Sequence, residues 1–316
     1  MNTSPRSVLS TLITLLAFAV PLPLPAAPIP AKDRMVVLIS IDGFPSYLWK
    51  DPSLPVPNLR KLAAEGAVGE AMSVSNPSIT WINHTTLVTG VSPATHGVLY
   101  NGLLVKQGPG LPPKMEQWAE RNRMVFAPTV YDRAFEAGLT TAEVDWVAIT
   151  KAPTIHWSFP ELPNPEGQIE REMSASSKLW DPALGKIDGN HARNIAWKDL
   201  QWTQAAVHIV QEHRPNLLLF HLLSTDASNH AYGPGSTGSH VAYGYADQLV
   251  GRLLEGIKEA GLQDKTTIVV ATDHGFKKVS KIVFPNVALR KEGLLELAGA
   301  RVVRAHAWAQ AQGGMA

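Results

Sequence analysis

MVVLISIDG, residues 35–43, is the stretch that decides the fold. Seven residues, all apolar except Ser40 and rich in β-branched side chains, run without a break to Asp42-Gly43. A continuous apolar run that ends on a turn signal predicts a parallel strand covered on both faces. Downstream, 57–65 reads as a helix with Pro57 at its start and Gly66 just past its end. A second helix over 129–137 closes at Gly138 and leads into a short strand, 140–147. A third helix over 197–213 precedes Pro215 and the strand 217–223. Val241, Tyr245, Leu249, Leu253 and Ile257 recur at helical spacing and predict a long amphipathic helix that stops near Gly261. TTIVVA (266–271) predicts another buried strand, ending at Thr272-Asp273-His274-Gly275. Strands alternate with helices, so the expected class is α/β: a mostly parallel sheet sandwiched by helices. Residues 152–193 are Pro-rich and read as an irregular loop or cap over one end of the sheet.

Composition narrows the chemistry. The chain has 316 residues, 45% of them hydrophobic, enough for a sizeable core. Lys and Arg number 28 against 27 Asp and Glu, a formal charge of +1, which leaves no basic surplus to coat a nucleic acid. Cysteine is absent. That excludes disulfides, thiolate metal sites and cysteine nucleophiles, so any metal must be held by His, Asp, Glu and hydroxyls.

The first 31 residues differ in kind from the rest. Arg6 precedes an apolar run over 8–20, and PLPLPAAPIPA (21–31) follows. This is the order of a secretory signal and its processing region, and the run is short for a membrane span. The expected location is periplasmic or secreted, with no stable span after cleavage and a catalytic domain over 32–316. A single-span anchor is the alternative.

In open α/β sheets, ligands bind beyond the carboxyl ends of the strands. Three expected strands end there with metal-binding side chains: Asp42; Asp226 and His230 in STDASNHAYGP (224–234); and Asp273 with His274. One such residue alone is usually a helix cap or turn. Three clusters at equivalent strand ends point to zinc or another divalent ion. Thr80, in NPSITWINHTTLVTGVSPATHGV (76–98), stands at an expected helix start near Trp81. Its hydroxyl reads either as a nucleophile beside phosphate-binding N–H groups or as a plain N-cap. GPGSTG (233–238) formally fits a dinucleotide loop but follows no strand directly. The Asn83-His84-Thr85 sequon is expected to be buried.

ISIDG (39–43), PSITWINHTTLVTG (77–90) with PATHGV (93–98), Asp226-x-x-x-His230 before Gly233-Pro234, and TDHG (272–275) occur in that order. Together they resemble the type I phosphodiesterase/nucleotide pyrophosphatase family of the alkaline phosphatase superfamily, from about Met35 to the chain end. The resemblance implies an alkaline-phosphatase-like fold and a two-zinc site. Asp42, Thr80, Asp273 and His274 would hold one zinc. Asp226 and His230 would hold the other, with a third histidine downstream. Asn101, in HGVLYNGLL (96–104), matches the family asparagine that hydrogen-bonds a phosphoryl oxygen; alone it reads as a turn residue. Trp81 could line the substrate pocket or belong to the core. His84 and His96 read as supporting groups.

The implied reaction is zinc-dependent hydrolysis of a phosphodiester or pyrophosphate bond through a phosphothreonine intermediate. Its substrate would be a small phosphate ester such as a nucleotide. After His274 only His306 remains, without the family's surrounding motif, so the domain is expected to be incomplete at its C-terminus. The alternatives are a phosphomonoesterase of the same superfamily, or a homologue with a defective metal site.

Overall fold

The computed structural model describes residues 28–162, 164, 166–176 and 195–310. Of the expected leader, residues 1–27 lie outside the described residues, as do 163, 165 and 177–193 of the region expected as a loop or cap.

Five parallel strands form the central sheet. They are β1 (Met35–Ile41), β4 (Thr141–Val144), β5 (Trp157–Phe159), β6 (Leu217–Leu222) and β7 (Thr266–Ala271), in the order β5-β4-β6-β1-β7. Two small antiparallel hairpins stand apart: β2 (Leu103–Val105) with β3 (Lys114–Glu116), and β8 (Leu295–Ala298) with β9 (Arg301–Ala305). The helices are α1 (Ser46–Trp49), α2 (Pro57–Glu65), α3 (Thr80–Thr89), α4 (Pro93–His96), α5 (Val130–Glu136) and α6 (Gln168–Ser176). After them come α7 (Ile195–His208), α8 (Ser224–Tyr232), α9 (Thr237–Glu259) and α10 (Pro285–Lys291).

The strand period of two distributes the sheet's apolar residues between its faces. Val37, Ile39 and Ile41 of β1 and Leu218, Phe220 and Leu222 of β6 meet Trp202, Ala205 and Ala206 of α7. Tyr243, Leu249, Val250, Leu253 and Ile257 of α9 complete that layer, with Leu59 of α2 and Ile169 and Met173 of α6. On the other face Leu217 and Leu219 pack against Val88 of α3 and Tyr131 of α5. The sandwich is therefore the expected one. His221, the next residue in that second register, faces the α3 side.

Three expectations change. The stretch 152–193 contains β5 and α6, because its prolines punctuate rather than prevent local structure. The 266–271 strand is an edge: among the described residues it pairs with β1 alone, which leaves Val269 42% and Val270 39% exposed. In α9, Val241 is exposed, and the buried stripe starts at Tyr243 instead. No helix among the described residues is long and apolar enough to cross a membrane.

Candidate active site

Asp42 follows β1 directly, Asp145 follows β4, Asp226 lies in the first turn of α8 after β6, and Asp273 comes two residues after β7. Parallel strands place all four acids at one rim of the sheet. A web of hydrogen bonds fixes the turns that carry them. The Thr225 hydroxyl donates to the Asp42 carbonyl at 2.6 Å, and Asn229 Nδ2 and the Tyr243 hydroxyl donate to the Gly43 carbonyl at 3.0 and 2.8 Å. Asp273 Oδ1 accepts the N–H groups of Gly43 (3.1 Å) and His274 (2.8 Å).

The functional atoms converge on His274. Its Nε2 lies 3.2 Å from Asp42 Oδ1, 3.8 Å from Asp226 Oδ1, 3.5 Å from Asp273 Oδ2 and 3.4 Å from Thr80 Oγ1. Ligand atoms of Asp42, Asp226 and His274 all fall within 4.8 Å of one another. This group draws members from both of the ligand sets that the family resemblance implies. His230 joins from the rim: its side chain is 68% exposed, and its Nε2 is 3.5 Å from Asp226 Oδ1. All six expected ligand-type residues are thus brought together.

The electrostatics of the cluster fit a bound cation. Burial, then the charges of Asp273 and Asp226, push the Asp42 carboxyl well above the usual range. Burial also raises Asp226. Burial would raise Asp273 too, but His84, His274 and His221 outweigh it and hold it low. For His274, burial is outweighed by the three carboxylates, and its pKa is raised. Asp42 Oδ1 and Asp273 Oδ2 are buried with no hydrogen-bond partner. Such oxygens cost free energy unless something occupies their lone pairs. An oxygen-rich set with one deep imidazole and no thiol fits a divalent ion of the zinc type.

Thr80 is the first helical residue of α3. Ile79, not Thr80, occupies the N-cap position, and it makes no side-chain cap. Asn101 Oδ1 accepts the Trp81 N–H at 2.9 Å, so this asparagine serves the helix N-terminus beside the Thr80 hydroxyl. Thr80, Asn101, Asp226, His230, His274 and Phe276 line one open cleft. Trp81 does not. It is 5% exposed and packs with Ile79, Ile82 and Val98, its ring 5.8 Å from that of Trp118. Its large apolar ring belongs to the core, so the pocket reading is corrected.

Sequence reasoning missed His221. It is buried on β6, with Nε2 3.1 Å from Asp42 Oδ2 and Nδ1 3.0 Å from Asp145 Oδ2. Burial opposes its charge, but Asp145 and Asp42 outweigh that and raise its pKa well above the usual value. Its hydrogen bond to Asp42 Oδ2 orients that carboxyl. Only the interruption of an apolar strand by one histidine, LLLFHL, signals it.

His84 and His96, expected as supporting groups, both make hydrogen bonds to the segment that carries Thr80. His84 donates from Nδ1 to the Thr80 carbonyl at 2.9 Å, and burial depresses its pKa to about 3, which keeps it neutral. His96 accepts the Val98 N–H at Nδ1 (3.2 Å) and meets the Thr86 hydroxyl at Nε2 (3.1 Å). Asn83 is 3% exposed with its amide committed to backbone groups, which leaves the sequon buried. His306 follows β9 and is exposed, and among the described residues the histidines lining the cleft are His230 and His274.

Comparison with known proteins matches residues 36–314 to the family model described as type I phosphodiesterase/nucleotide pyrophosphatase. A venom phosphodiesterase of Macrovipera lebetinus is 26% identical over 254 residues, 79% of this chain and 26% of that protein. Ectonucleotide pyrophosphatase/phosphodiesterase family member 1 of Mus musculus is 27% identical over 270 residues, 83% of this chain and 26% of that protein. The chain therefore spans about a quarter of the length of these curated relatives. Among solved structures, an inactive threonine-to-alanine variant of murine ectonucleotide pyrophosphatase/phosphodiesterase 5, in complex with AMP, superposes with a TM-score of 0.57 at 21% identity. That superposition covers 84% of this chain and 63% of that one.

Proposed function

The chain belongs to the type I phosphodiesterase/nucleotide pyrophosphatase family, and from that premise we propose that it is an exported zinc-dependent hydrolase of phosphodiester or pyrophosphate bonds with Thr80 as its nucleophile. One observation carries the reading: Asp42, Asp226, Asp273 and His274 converge within reach of a hydroxyl that opens helix α3. Asp42, Asp273, His274 and Thr80 would hold one zinc ion, and Asp226 and His230 would contribute to a second. Bound there, zinc lowers the pKa of the threonine hydroxyl and neutralises charge on the phosphoryl oxygens.

The chain's own residues do the rest. Thr80 Oγ1 attacks phosphorus in line, forming an oxygen–phosphorus bond while the bond to the leaving oxygen breaks. The leaving group departs with a proton, and Thr80 carries the phosphoryl group as phosphothreonine. Water then attacks that phosphorus and restores the hydroxyl. Asn101 steadies the first turn of α3 and lies where its amide can meet a phosphoryl oxygen. The α3 N-terminus adds partial positive charge toward the same group. His221, charged between Asp42 and Asp145, keeps Asp42 aimed at the rim. His84 holds the backbone carbonyl of the nucleophile.

The structural relative's inactivity as a threonine-to-alanine variant that binds AMP supports both a threonine nucleophile and a nucleotide-like substrate. Thr80→Ala tests the mechanism. Hydrolysis of bis-p-nitrophenyl phosphate is expected to fall by at least about a thousandfold, as for removal of other covalent nucleophiles, while zinc content and fold are kept. Near-normal turnover in that variant overturns it. Parallel rates on p-nitrophenyl phosphate separate the diesterase from a monoesterase. A purified parent chain that holds no zinc favours a homologue with a defective site.

A further inference from the structure

A second group of metal-ligating side chains lies away from the cleft and has no part in the chemistry above. Glu172 on α6 faces His208, the last residue of α7, and His213, in the turn that follows. His208 Nε2 is 2.9 Å and His213 Nε2 is 2.7 Å from the same carboxylate oxygen, Glu172 Oε2. The three ligand atoms fall within 4.8 Å of one another. His213 sits four residues before β6 begins, whereas Asp226 follows that strand's far end, so the two clusters occupy opposite ends of the sheet.

Backbone geometry makes the convergence. Residues 208 and 213 are five apart, which on an α-helix sets them about 140° apart around the axis. Here α7 widens into a π turn over Ile209–His213, with the Arg214 N–H donating to the Ile209 carbonyl, five residues back, at 3.1 Å. The wider winding swings the two imidazoles to one side, and π turns of this kind recur at functional sites. Arg214 ends the turn in the left-handed region at φ 49°. Two further contacts orient the ligands. Gln168 Nε2 donates to Glu172 Oε1 at 2.8 Å, and the Trp157 ring stacks on His213 at 4.8 Å and 23°. Partner groups of this sort fix ligand orientation in metal sites. Burial pushes Glu172 upward, but hydrogen bonds from His208, Gln168 and His213 hold it down at about 2, so the carboxylate is ionised at neutral pH.

We propose that Glu172, His208 and His213 form a separate binding site for one zinc-type divalent ion, which clamps α6 to the end of α7. Two imidazoles and a carboxylate without thiolate select borderline transition ions over calcium or magnesium. Three protein ligands leave room for water in a fourth position. The two imidazole nitrogens that now crowd one oxygen would turn their lone pairs to the ion, releasing any proton held there.

The test is calorimetric titration of Zn²⁺ into the chelator-stripped full chain, beside Glu172→Gln and the double variant His208→Gln/His213→Gln. Each variant is expected to lose one equivalent of zinc relative to the parent, with its hydrolysis rate unchanged. Zinc stoichiometry equal to the parent's in either folded variant overturns the proposal. Circular dichroism reports folding; should the histidine variant unfold, the near-isosteric Glu172→Gln carries the decision, since its side chain is 30% exposed in the parent. The readout counts ions at this site alone, so it stands whether or not Thr80 proves to be the nucleophile.

Discussion

Glu143 sits on β4 with its carboxylate 1% exposed, taking the Trp146 N–H on Oε2 at 3.0 Å and the Ser158 hydroxyl on Oε1. Burial is the largest influence and lifts its pKa from 4.5 to about 7, against those two hydrogen bonds. The folded chain therefore holds a proton that the unfolded chain gives up between those values, and stability falls as pH rises from about 4.5 to 7. The full shift corresponds to about 3 kcal/mol, reached above pH 7. Glu143→Gln keeps an acceptor for the Trp146 N–H, can donate from its amide to a Ser158 hydroxyl turned to accept, and has nothing to ionise. Urea unfolding at pH 5 and pH 8 is expected to show the parent losing about 1–3 kcal/mol relative to this variant at the higher pH. Equal losses in both would show that Glu143 ionises freely in the fold. The same physics explains which site residues sequence reading could find. Asp42, Asp226 and Asp273 stand where apolar strands stop, so a charged side chain there breaks the pattern visibly. His221 stands inside an apolar strand, and its pairing with Asp42 and Asp145 depends on neighbours more than 70 residues away in sequence.

The turn after β1 and the end of α3 show how glycine serves two different needs. Gly90 closes α3 at φ 68°, and a Cβ built on it meets nothing within 4 Å. Gly90→Ala is thus expected to cost only left-handed strain, about 1–2 kcal/mol in unfolding, with unchanged activity per folded molecule. Gly43 has nearly the same φ, 67°, but its Cβ would lie 2.5 Å from Phe276 Cε2 and 3.4 Å from Asp226 Cα. Phe276 in turn meets the His230 ring at 4.8 Å and the His274 ring at 5.6 Å. Gly43→Ala should therefore add a drop of tenfold or more in kcat/KM and weaker zinc binding, because misplacement on the ångström scale is enough to cost that much. Loss of stability without loss of kcat/KM would mean that the Phe276 ring moves aside without disturbing either histidine. At this scale the sequence was informative where a strand or helix carries its own stop: β1 and α2 have the expected bounds. It was least so where only packing decides. The 140–147 strand stops at Val144 because Asp145 turns left-handed at φ 59°, and the π turn at 209–213 leaves no periodic trace.

Across the whole molecule, the segments that follow three neighbouring strands, β6, β1 and β7, deliver Asp226, Asp42 and Asp273 to one point with His274 between them. The fold gathers this charge with few hydrogen bonds to offset it, as Asp42 Oδ1 and Asp273 Oδ2, which accept none, record. An ion that binds only the assembled rim then stabilises the entire sheet, since the three acids come together only once the strands have paired. Mass-action linkage gives about 2.7 kcal/mol at a free ion concentration 100 times Kd. In a domain of this size each kcal/mol moves Tm by roughly 2–4 °C, so saturating zinc should raise Tm by about 5–10 °C over the chelated chain. Calorimetric scans with EDTA and with excess zinc measure this. The shift should persist in His208→Gln/His213→Gln, reduced by the part due to that clamp, and should fall to the clamp's part alone in Asp42→Asn/Asp273→Asn. In that variant the buried oxygens no longer carry a charge for zinc to neutralise. An equal Tm in EDTA and in excess zinc for the parent would mean that the acids are tolerated in their protonated form. The high pKa of Asp42 would then reflect how the fold lives without an ion, and the reading of the rim as a metal centre would fail.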